Sequence, residues 1–569
     1  MKPTRRKSTA ARIVDRRLRL LLLAILIGFG VLLARAAWVQ GVDAASLSKL
    51  AQQQQHETVT LPASRGTIYD RMGVQLAIGE QATTVTADPM QIAAPRREAW
   101  IAAQVLGLDE RTVYAELADR HRGFVYVERK ADPAKASALS KRDLVGFYFY
   151  PEERRAYPQD SVAAQLLGFA GVDNHGLAGL ELELDKQLSG HEGKETIVKD
   201  PSGQAIDIVD QVPERAGHDV FLTIDHTIQA NAEQVLRATV ARYHAKAASA
   251  IVLDPRTGDV LAMADVPSFD ANRYPEASPE AQKNRAVTDM YEPGSTFKVV
   301  TVAGALSEGL VTPHTSFTLP YSIKVADRTI HDADPRGTET MSVAQILAHS
   351  SNVGAITLAE MLGRHRLMQW IGRFGFGHAT GIDFPGEADG LVLPERDWSG
   401  STIGNVPIGQ GISVTPIQMA SVYAALANHG VWIEPHLVDH VQGERPQAPR
   451  RRRIVSTQIA GELMTMLKGV VLEGTGQSAA IPGYQVAGKT GTAQVPGPHG
   501  YVAGEYIASF VGIVPASRPR LVVLVKVDEP RNAIFGAQVA APAFQQIASA
   551  ALQYLEIPPD APVVTSTTP

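Results

Sequence analysis

An uncharged run from Leu20 to Ala34 (LLLLAILIGFGVLLA) decides how the rest of this chain can be read. Arg35 interrupts it, and Ala36, Ala37, Trp38 and Val39 continue it. Residues 18–39 thus approach the roughly 20 residues that a helix needs to cross a bilayer. Arg35 and Trp38 suit the far interface, one snorkelling and the other in the aromatic belt. Ahead of the run lies a basic block, Arg5, Arg6, Lys7, Arg12, Arg16, Arg17 and Arg19, against the single acid Asp15. The positive-inside rule keeps that block cytoplasmic. The expectation is a cytoplasmic segment over 1–17 and a transmembrane anchor over 18–39. The competing reading is a cleaved signal peptide, because Ala34-Arg35-Ala36 has the A-x-A form. Both readings export everything after residue 40.

A length of 569 residues predicts two to four folded units. The net charge of −5 contains the basic N-terminus, so the remainder is more acidic than the total suggests. That balance excludes a nucleic-acid binder. The absence of cysteine excludes disulfides and any thiolate chemistry.

After the anchor, Ser46 to Glu57 (SLSKLAQQQQHE) reads as an exposed helix. Arg65-Gly66-Thr67-Ile68-Tyr69-Asp70-Arg71-Met72-Gly73 reads as a strand followed by a turn, with Gly73 closing it. Residues 57–215 mix short strands with helices, one of them over 97–118, and show no catalytic pattern of their own. The stretch Val212-Pro213-Glu214-Arg215-Ala216-Gly217 is loop-like and marks a domain boundary. Beyond it, Asp219–Ile224 reads as a strand and Asp225–Arg242 as a helix. Ala248–Asp254 and Asp259–Ala264 are strands joined through Pro255-Arg256-Thr257-Gly258. Thr415-Pro416-Ile417-Gln418 opens a helix with a capping box. Ile507–Val514 and Leu521–Val527 read as strands, and 541–555 as an amphipathic helix. Residues 556–569 are expected to be a disordered tail. Strands at both ends of a helix-rich middle predict an α+β domain over 216–555.

Three short patterns carry chemistry. In Ser295-Thr296-Phe297-Lys298 a weak nucleophile has a lysine three residues on, within reach on one helix face. Lysine serves as a base only if burial or a neighbouring cation depresses its pKa. Pro293-Gly294 is a helix-start signature, which places Ser295 where backbone N–H groups can hold an oxyanion. The same spacing at Ser46-Leu47-Ser48-Lys49 reads only as a solvated face, so spacing alone does not identify a site. The second pattern is Ser350-Ser351-Asn352, the sole S-x-N, between helical segments. The third is Lys489-Thr490-Gly491-Thr492, the sole K-T-G, followed by a strand. Together they supply a nucleophile, a base, a hydroxyl proton shuttle, an amide and a second cation.

Rival templates fit less well. Gly483-Tyr484-Gln485-Val486-Ala487-Gly488-Lys489-Thr490 satisfies G-x-x-x-x-G-K-[ST]. A loop precedes it, however, and Pro496, Gly497 and Pro498 follow where a helix is required. There is no G-x-S-x-G and no H-E-x-x-H. His331, His349 and His365 are scattered and read as surface or satisfied interior residues. Arg450–Arg453 reads as a solvated loop, with partner contact as its alternative.

In chain order, S-x-x-K, S-x-N and K-T-G resemble the motif set of penicillin-binding proteins and class A β-lactamases, with Ser351 where the usual pattern has Asp. With the anchor and the upstream module, nearly the whole chain resembles a class B penicillin-binding protein. Arg65–Gly73 is similar to that class's R-G-x-I-x-D-R-x-G signature. Arg154, Arg155, Tyr157, Pro158, then Gln165–Phe169 and Gly179-Leu180-Glu181, are similar to its second conserved region. Tyr291-Glu292-Pro293-Gly294 ahead of the serine resembles the division-specific branch. Phe535-Gly536-Ala537 departs from the Tyr-Gly-Gly expected late in the domain.

The resemblance implies a fold and a set of roles. The fold would be an anchor, an elongated mixed α/β pedestal (dimerisation) domain over 57–215, and a transpeptidase domain over 216–555 built on an antiparallel sheet flanked by helices. It implies a D-Ala-D-Ala transpeptidase/carboxypeptidase that cross-links peptidoglycan stem peptides and is acylated by β-lactam antibiotics. Ser295 would attack, Lys298 take its proton, and Ser350 with Lys489 pass a proton to the leaving group. Asn352 would bind the peptide, the backbone N–H groups of Ser295 and Thr492 the oxyanion, and Thr490 and Thr492, flanking Gly491, the terminal carboxylate. No metal or cofactor is implied. The implied partners are FtsW and the division proteins FtsQ, FtsL, FtsB and FtsN. A β-lactamase or β-lactam sensor shares the motifs without needing the anchor and upstream module. A silent division scaffold would not need all three motifs complete.

Overall fold

The computed structural model describes residues 9–42, 49, 56–199, 205–498 and 500–562. Most of the helix expected over Ser46–Glu57 lies outside these residues, as do Arg5, Arg6 and Lys7 of the basic block. Packing groups the chain into two units, Met1–Ala63 with His191–Arg215, and Ser64–Gly190 with Ala216–Pro569.

The smaller unit holds a helix, Thr9–Gly41, whose apolar part Arg16–Gly41 covers 26 residues. At 1.5 Å per residue this reaches about 39 Å, more than the ~30 Å hydrocarbon core. The same unit holds a three-stranded antiparallel sheet in the order His56–Leu61, Gly193–Lys199, Ala205–Val212.

The larger unit is built on a five-stranded antiparallel sheet in the order Val260–Val266, Ala247–Leu253, Leu521–Asp528, Gly500–Val514, Ala487–Gly497. Alternation along the strands divides the core, as a period of two requires. Val523 and Val525 face the helices Gly536–Tyr554 and His226–Tyr243, with Phe510, Phe544 and Leu236. Val522 and Leu524 face the helices Lys298–Ser307 and Pro416–Ala427, with Val299, Val302 and Met419. Here the expected antiparallel sheet flanked by helices is present. The capping box at Thr415 also forms: Gln418 N donates to Thr415 Oγ1 at 3.3 Å, and Thr415 N to Gln418 Oε1 at 2.9 Å.

The packing groups cut across a boundary at residue 216, for an identifiable reason. Ile68 pairs with Val220 in parallel, within a second sheet that also contains Gln75–Ala87. Asp70 caps its own turn, accepting from Met72 N and Val74 N at 2.8 Å each, and also lies 2.7 Å from His226 Nδ1. The two upstream signature blocks meet on one buried carboxylate. Arg65 Nε reaches Glu181 Oε2 at 2.7 Å, Arg155 Nε reaches Oε1 at 2.6 Å, and the Tyr157 hydroxyl reaches Oε1 at 3.4 Å. Removing one partner from such a buried cluster strands the other charges, which costs about 3–5 kcal/mol. Arg154 instead points outward to Glu80.

Two local expectations are corrected. The single helix over 97–118 is two, Pro95–Leu106 and Glu110–Ala118, because Gly107 ends the first in the left-handed region (φ 86°) and Asp109 caps the second. Residues 557–560, expected within a disordered tail over 556–569, are tied to the body. Tyr484 donates to the Ile557 carbonyl at 2.5 Å, and Asp560 accepts from Gln485 N at 2.7 Å and Ser517 Oγ at 2.5 Å. Residues 563–569 lie outside the described set.

Candidate active site

Ser295 sits in a 3-10 turn, Gly294–Phe297, that runs straight into the helix Lys298–Ser307. Gly294 is left-handed (φ 54°), and a Cβ there would meet the Thr492 carbonyl oxygen at 2.8 Å. This close approach presses the serine turn against the K-T-G strand, at the edge of the central sheet. The turn is braced from behind as well: Thr296 Oγ1 donates to the Pro293 carbonyl at 2.7 Å, and the Tyr423 hydroxyl to the Thr296 carbonyl at 2.9 Å.

Ser350 occupies the left-handed region (φ 60°), uncommon for a residue with a side chain and a recurrent feature of functional sites. Ser351 then caps the helix Asn352–Leu362, accepting from Gly354 N at 3.0 Å. Ser351 also donates to Asp332, at 3.1 and 3.0 Å to its two oxygens. Asp332 further accepts from Asn352 N at 2.6 Å and Val353 N at 3.0 Å, and is paired with Arg336. A carboxylate therefore does stand at this helix start, delivered from 19 residues upstream rather than from the middle of the motif.

The Lys298 ammonium group is buried and points at this second motif. Its Nζ donates to the Ser350 carbonyl at 2.5 Å, Ser350 Oγ at 3.2 Å and Asn352 Oδ1 at 2.7 Å. Burial pushes Lys298 down to about 7, and the Asp332 carboxylate opposes the shift. Lys489 is also fully buried, and burial first, then the charge of Lys298, drives it well below the ordinary lysine range.

Ser295, Ser350, Asn352, Thr490 and Thr492 line one cavity of about 410 Å³. Lys298, Lys489 and Gly491 are buried and are not among the residues that line it. The asparagine amide keeps one N–H free, since Nδ2 has two and one is engaged by the His331 carbonyl at 2.8 Å. Thr490 Oγ1 lies 2.9 Å from Thr475 Oγ1, and Gly536 N donates to Thr492 Oγ1 at 3.1 Å.

Several lining residues were not legible in the motifs. Thr475 comes from a Gly-Thr-Gly loop drawn in because its backbone N donates to the Ala348 carbonyl at 3.2 Å. His349 stands at the rim rather than on a remote surface, with Ala333 and Asp334. Phe535 and Ala537 line the cavity, so the segment departing from Tyr-Gly-Gly belongs to the site. Glu292 accepts from Gly411 N and from the hydroxyl of Tyr501, at the start of the strand Gly500–Val514, at 2.9 Å each. Beneath Gly491 one row of residues crosses the sheet through Ser509, Lys526, Ser249 and Asp265. There Lys526 pairs with Asp528 at 2.7 Å and lies 5.6 Å above the Tyr291 ring, while burial pushes Asp265 up to about 6.

Comparison with known proteins gives the family. Residues 248–549 match the penicillin binding protein transpeptidase domain family, and residues 60–222 the penicillin-binding protein dimerisation domain family. Peptidoglycan D,D-transpeptidase FtsI of Escherichia coli is 34% identical, over 98% of this chain and 95% of its own length. The chain is a class B penicillin-binding protein of the FtsI (penicillin-binding protein 3) type. Stage V sporulation protein D of Bacillus subtilis is also 34% identical, over 96% of this chain and 87% of its own. Penicillin-binding protein 3 from Mycobacterium tuberculosis, solved with aztreonam, superposes with a TM-score of 0.69 at 32% identity, covering 89% of this chain and 99% of that one. The class B family makes this chain a transpeptidase of peptidoglycan synthesis that binds β-lactams.

Proposed function

We propose that the protein cross-links peptidoglycan stem peptides at the division septum through an acyl-enzyme on Ser295. The observation that carries this reading is the buried Lys298, held near neutrality in pKa while its Nζ touches Ser350 and Asn352. A lysine so placed is a competent base at physiological pH. Ser295 Oγ attacks the carbonyl of the penultimate D-alanine while its proton passes to Lys298. The peptide bond breaks, and the terminal D-alanine leaves as an amine that receives a proton by way of Ser350 and Lys489. Asn352 holds the donor peptide. The backbone N–H groups of Ser295 and Thr492 bind the oxyanion, and Thr490 and Thr492 receive the terminal carboxylate. Arrival of that carboxylate favours the charged form of Lys489, because an anion stabilises the ammonium group. An amine from a second strand then attacks the ester, forming the cross-link and returning the proton to Ser295. Water in its place gives carboxypeptidase action. A β-lactam follows the first half only, its ring C–N bond being the one that opens.

The reading takes 57–215 as pedestal and 216–555 as catalytic domain; family matches over 60–222 and 248–549 support it, although the packing groups differ. In this arrangement the N-terminus is cytoplasmic, the catalytic domain faces the periplasm, and the pedestal meets FtsW and its companions. The direct test is labelling with a fluorescent penicillin. Ser295→Ala should remove the label from a folded protein, and Ser46→Ala should leave it unchanged. Equal labelling of Ser295→Ala and native protein overturns the assignment.

A further inference from the structure

Four arginines follow one another at 450–453, and the structure gives them different tasks. Arg450 is neutralised, its Nε and Nη2 donating to Glu434 Oε1 at 2.9 and 2.6 Å. Arg453 is spent on the carbonyls of His429 and Val455 at 2.9 and 3.3 Å. Arg451 and Arg452 have no acidic partner among the described residues. Arg452 lies 5.6 Å over the Trp432 ring and donates to the Arg373 carbonyl at 2.5 Å. Arg373, in turn 4.9 Å over Trp370, also has no carboxylate among the described residues. The nearby acids are engaged elsewhere: Glu387 accepts from Thr380 N and Gly381 N, and Asp389 from Ala379 N.

Arg450, Arg451 and Arg452 line a cavity of about 570 Å³ with Trp432, Thr380 and Ser421. Ser421 is 3% exposed, and its Oγ has no hydrogen-bond partner among the described residues. A buried hydroxyl left unpaired is costly, and an occupant of this cavity would relieve it. Ser421 belongs to the helix Pro416–Ala427, whose Tyr423 braces the serine turn.

We propose that this cavity is a second binding site for the acidic stem peptide of peptidoglycan, whose carboxylates meet Arg451 and Arg452. Planar guanidinium groups without counter-charges are suited to carboxylates. The volume admits a short peptide rather than a folded surface, and peptide amides supply the partner that Ser421 lacks. The choice of peptidoglycan as the source rests on the function proposed above.

The test uses the full-length protein in detergent, acylated by penicillin so that the cleft at Ser295 is closed, and a fluorescein-labelled disaccharide-pentapeptide fragment of peptidoglycan. Anisotropy should show saturable binding that weakens at least tenfold in Arg451→Glu/Arg452→Glu, and likewise when the carboxylates of the fragment are amidated. Arg451→Glu alone, at an exposed side chain, should weaken binding several-fold in a protein that acylates normally. Binding that is unchanged in these variants, or absent from the blocked native protein, overturns the proposal. Tighter, arginine-dependent binding of an acidic peptide of ordinary L-residues would make the site one for a protein segment and overturn the assignment to peptidoglycan. If penicillin fails to acylate Ser295, the proposed function falls separately, and the arginine comparison is read on the unblocked chain.

Discussion

Lys298 is where the chemistry depends most on burial. Its ammonium loses water and gains only neutral acceptors within hydrogen-bond range, so the folded pKa falls to about 7. The neutral amine is the active form, hence acylation by penicillin should rise with pH through a midpoint near 7 and level off above it. Lys298→Arg keeps the charge but cannot deprotonate. It should bind penicillin yet acylate about 10²–10⁴-fold more slowly, without the rising limb. Rate-against-pH profiles of the two proteins would decide this. An Arg variant within a few-fold of native would move the base elsewhere, with Ser350 and Lys489 next in line.

At the scale of elements, the start of the helix Asn352–Leu362 shows what spacing can and cannot tell. The S-x-N pattern located Ser350 and Asn352, because a capped helix start needs only neighbours in sequence. Asp332 was not legible, because its oxygens reach Asn352 N and Val353 N, 20 and 21 residues away, only after the strand Glu339–Ser342 and the helix Val343–Ala348 bring the chain back. Likewise Arg65 and Glu181 read as separate signatures and meet across 116 residues. The break at Gly107-Leu108-Asp109 was locally encoded, a C-cap glycine followed by an N-cap aspartate, and helical periodicity masked it. The Asp332 arrangement has a counterintuitive consequence. Ser351→Asp, which restores the commoner motif, should harm this protein, since two carboxylates would compete for the same N–H groups. Acylation should slow by about tenfold and stability fall by about 1–3 kcal/mol. Adding Asp332→Asn should recover most of both. Denaturant midpoints and penicillin acylation rates measure the two effects. A Ser351→Asp protein as fast and stable as native would show that Asp332 is not the equivalent of the missing acid.

For the whole molecule, the apolar helix was legible from composition alone, while the grouping of residues 64–190 with 216–569 was not, because it rests on a parallel strand contact and on long-range hydrogen bonds such as those of Asp70 with His226 and of Tyr157 N with Asn272 Oδ1. A reporter active only in the periplasm should function when fused after residue 57 and fail when fused before residue 15, and a fluorescent fusion should gather at midcell. Mature membrane protein beginning at Ala37 would replace the anchor with a signal peptide, and uniform envelope fluorescence would remove the septal role. One more consequence follows from the glycines packed beside the catalytic cavity. A Cβ on Gly491 would meet Ser509 Oγ at 2.3 Å and the Pro293 carbonyl oxygen at 2.9 Å; on Gly536 it would meet the carbonyl oxygens of Ser509 and Gly491 at 2.3 and 2.4 Å. Main chain packed against main chain leaves heritable drug resistance little room there. Escape from a β-lactam should therefore be written on the rim, at Ala333, Asp334, Phe535, Ala537 and Gln538, where side chains can change without moving the sheet. Serial selection followed by sequencing should return rim alleles and leave Gly294, Gly491 and Gly536 untouched; recurrent resistance alleles at those three glycines would contradict it.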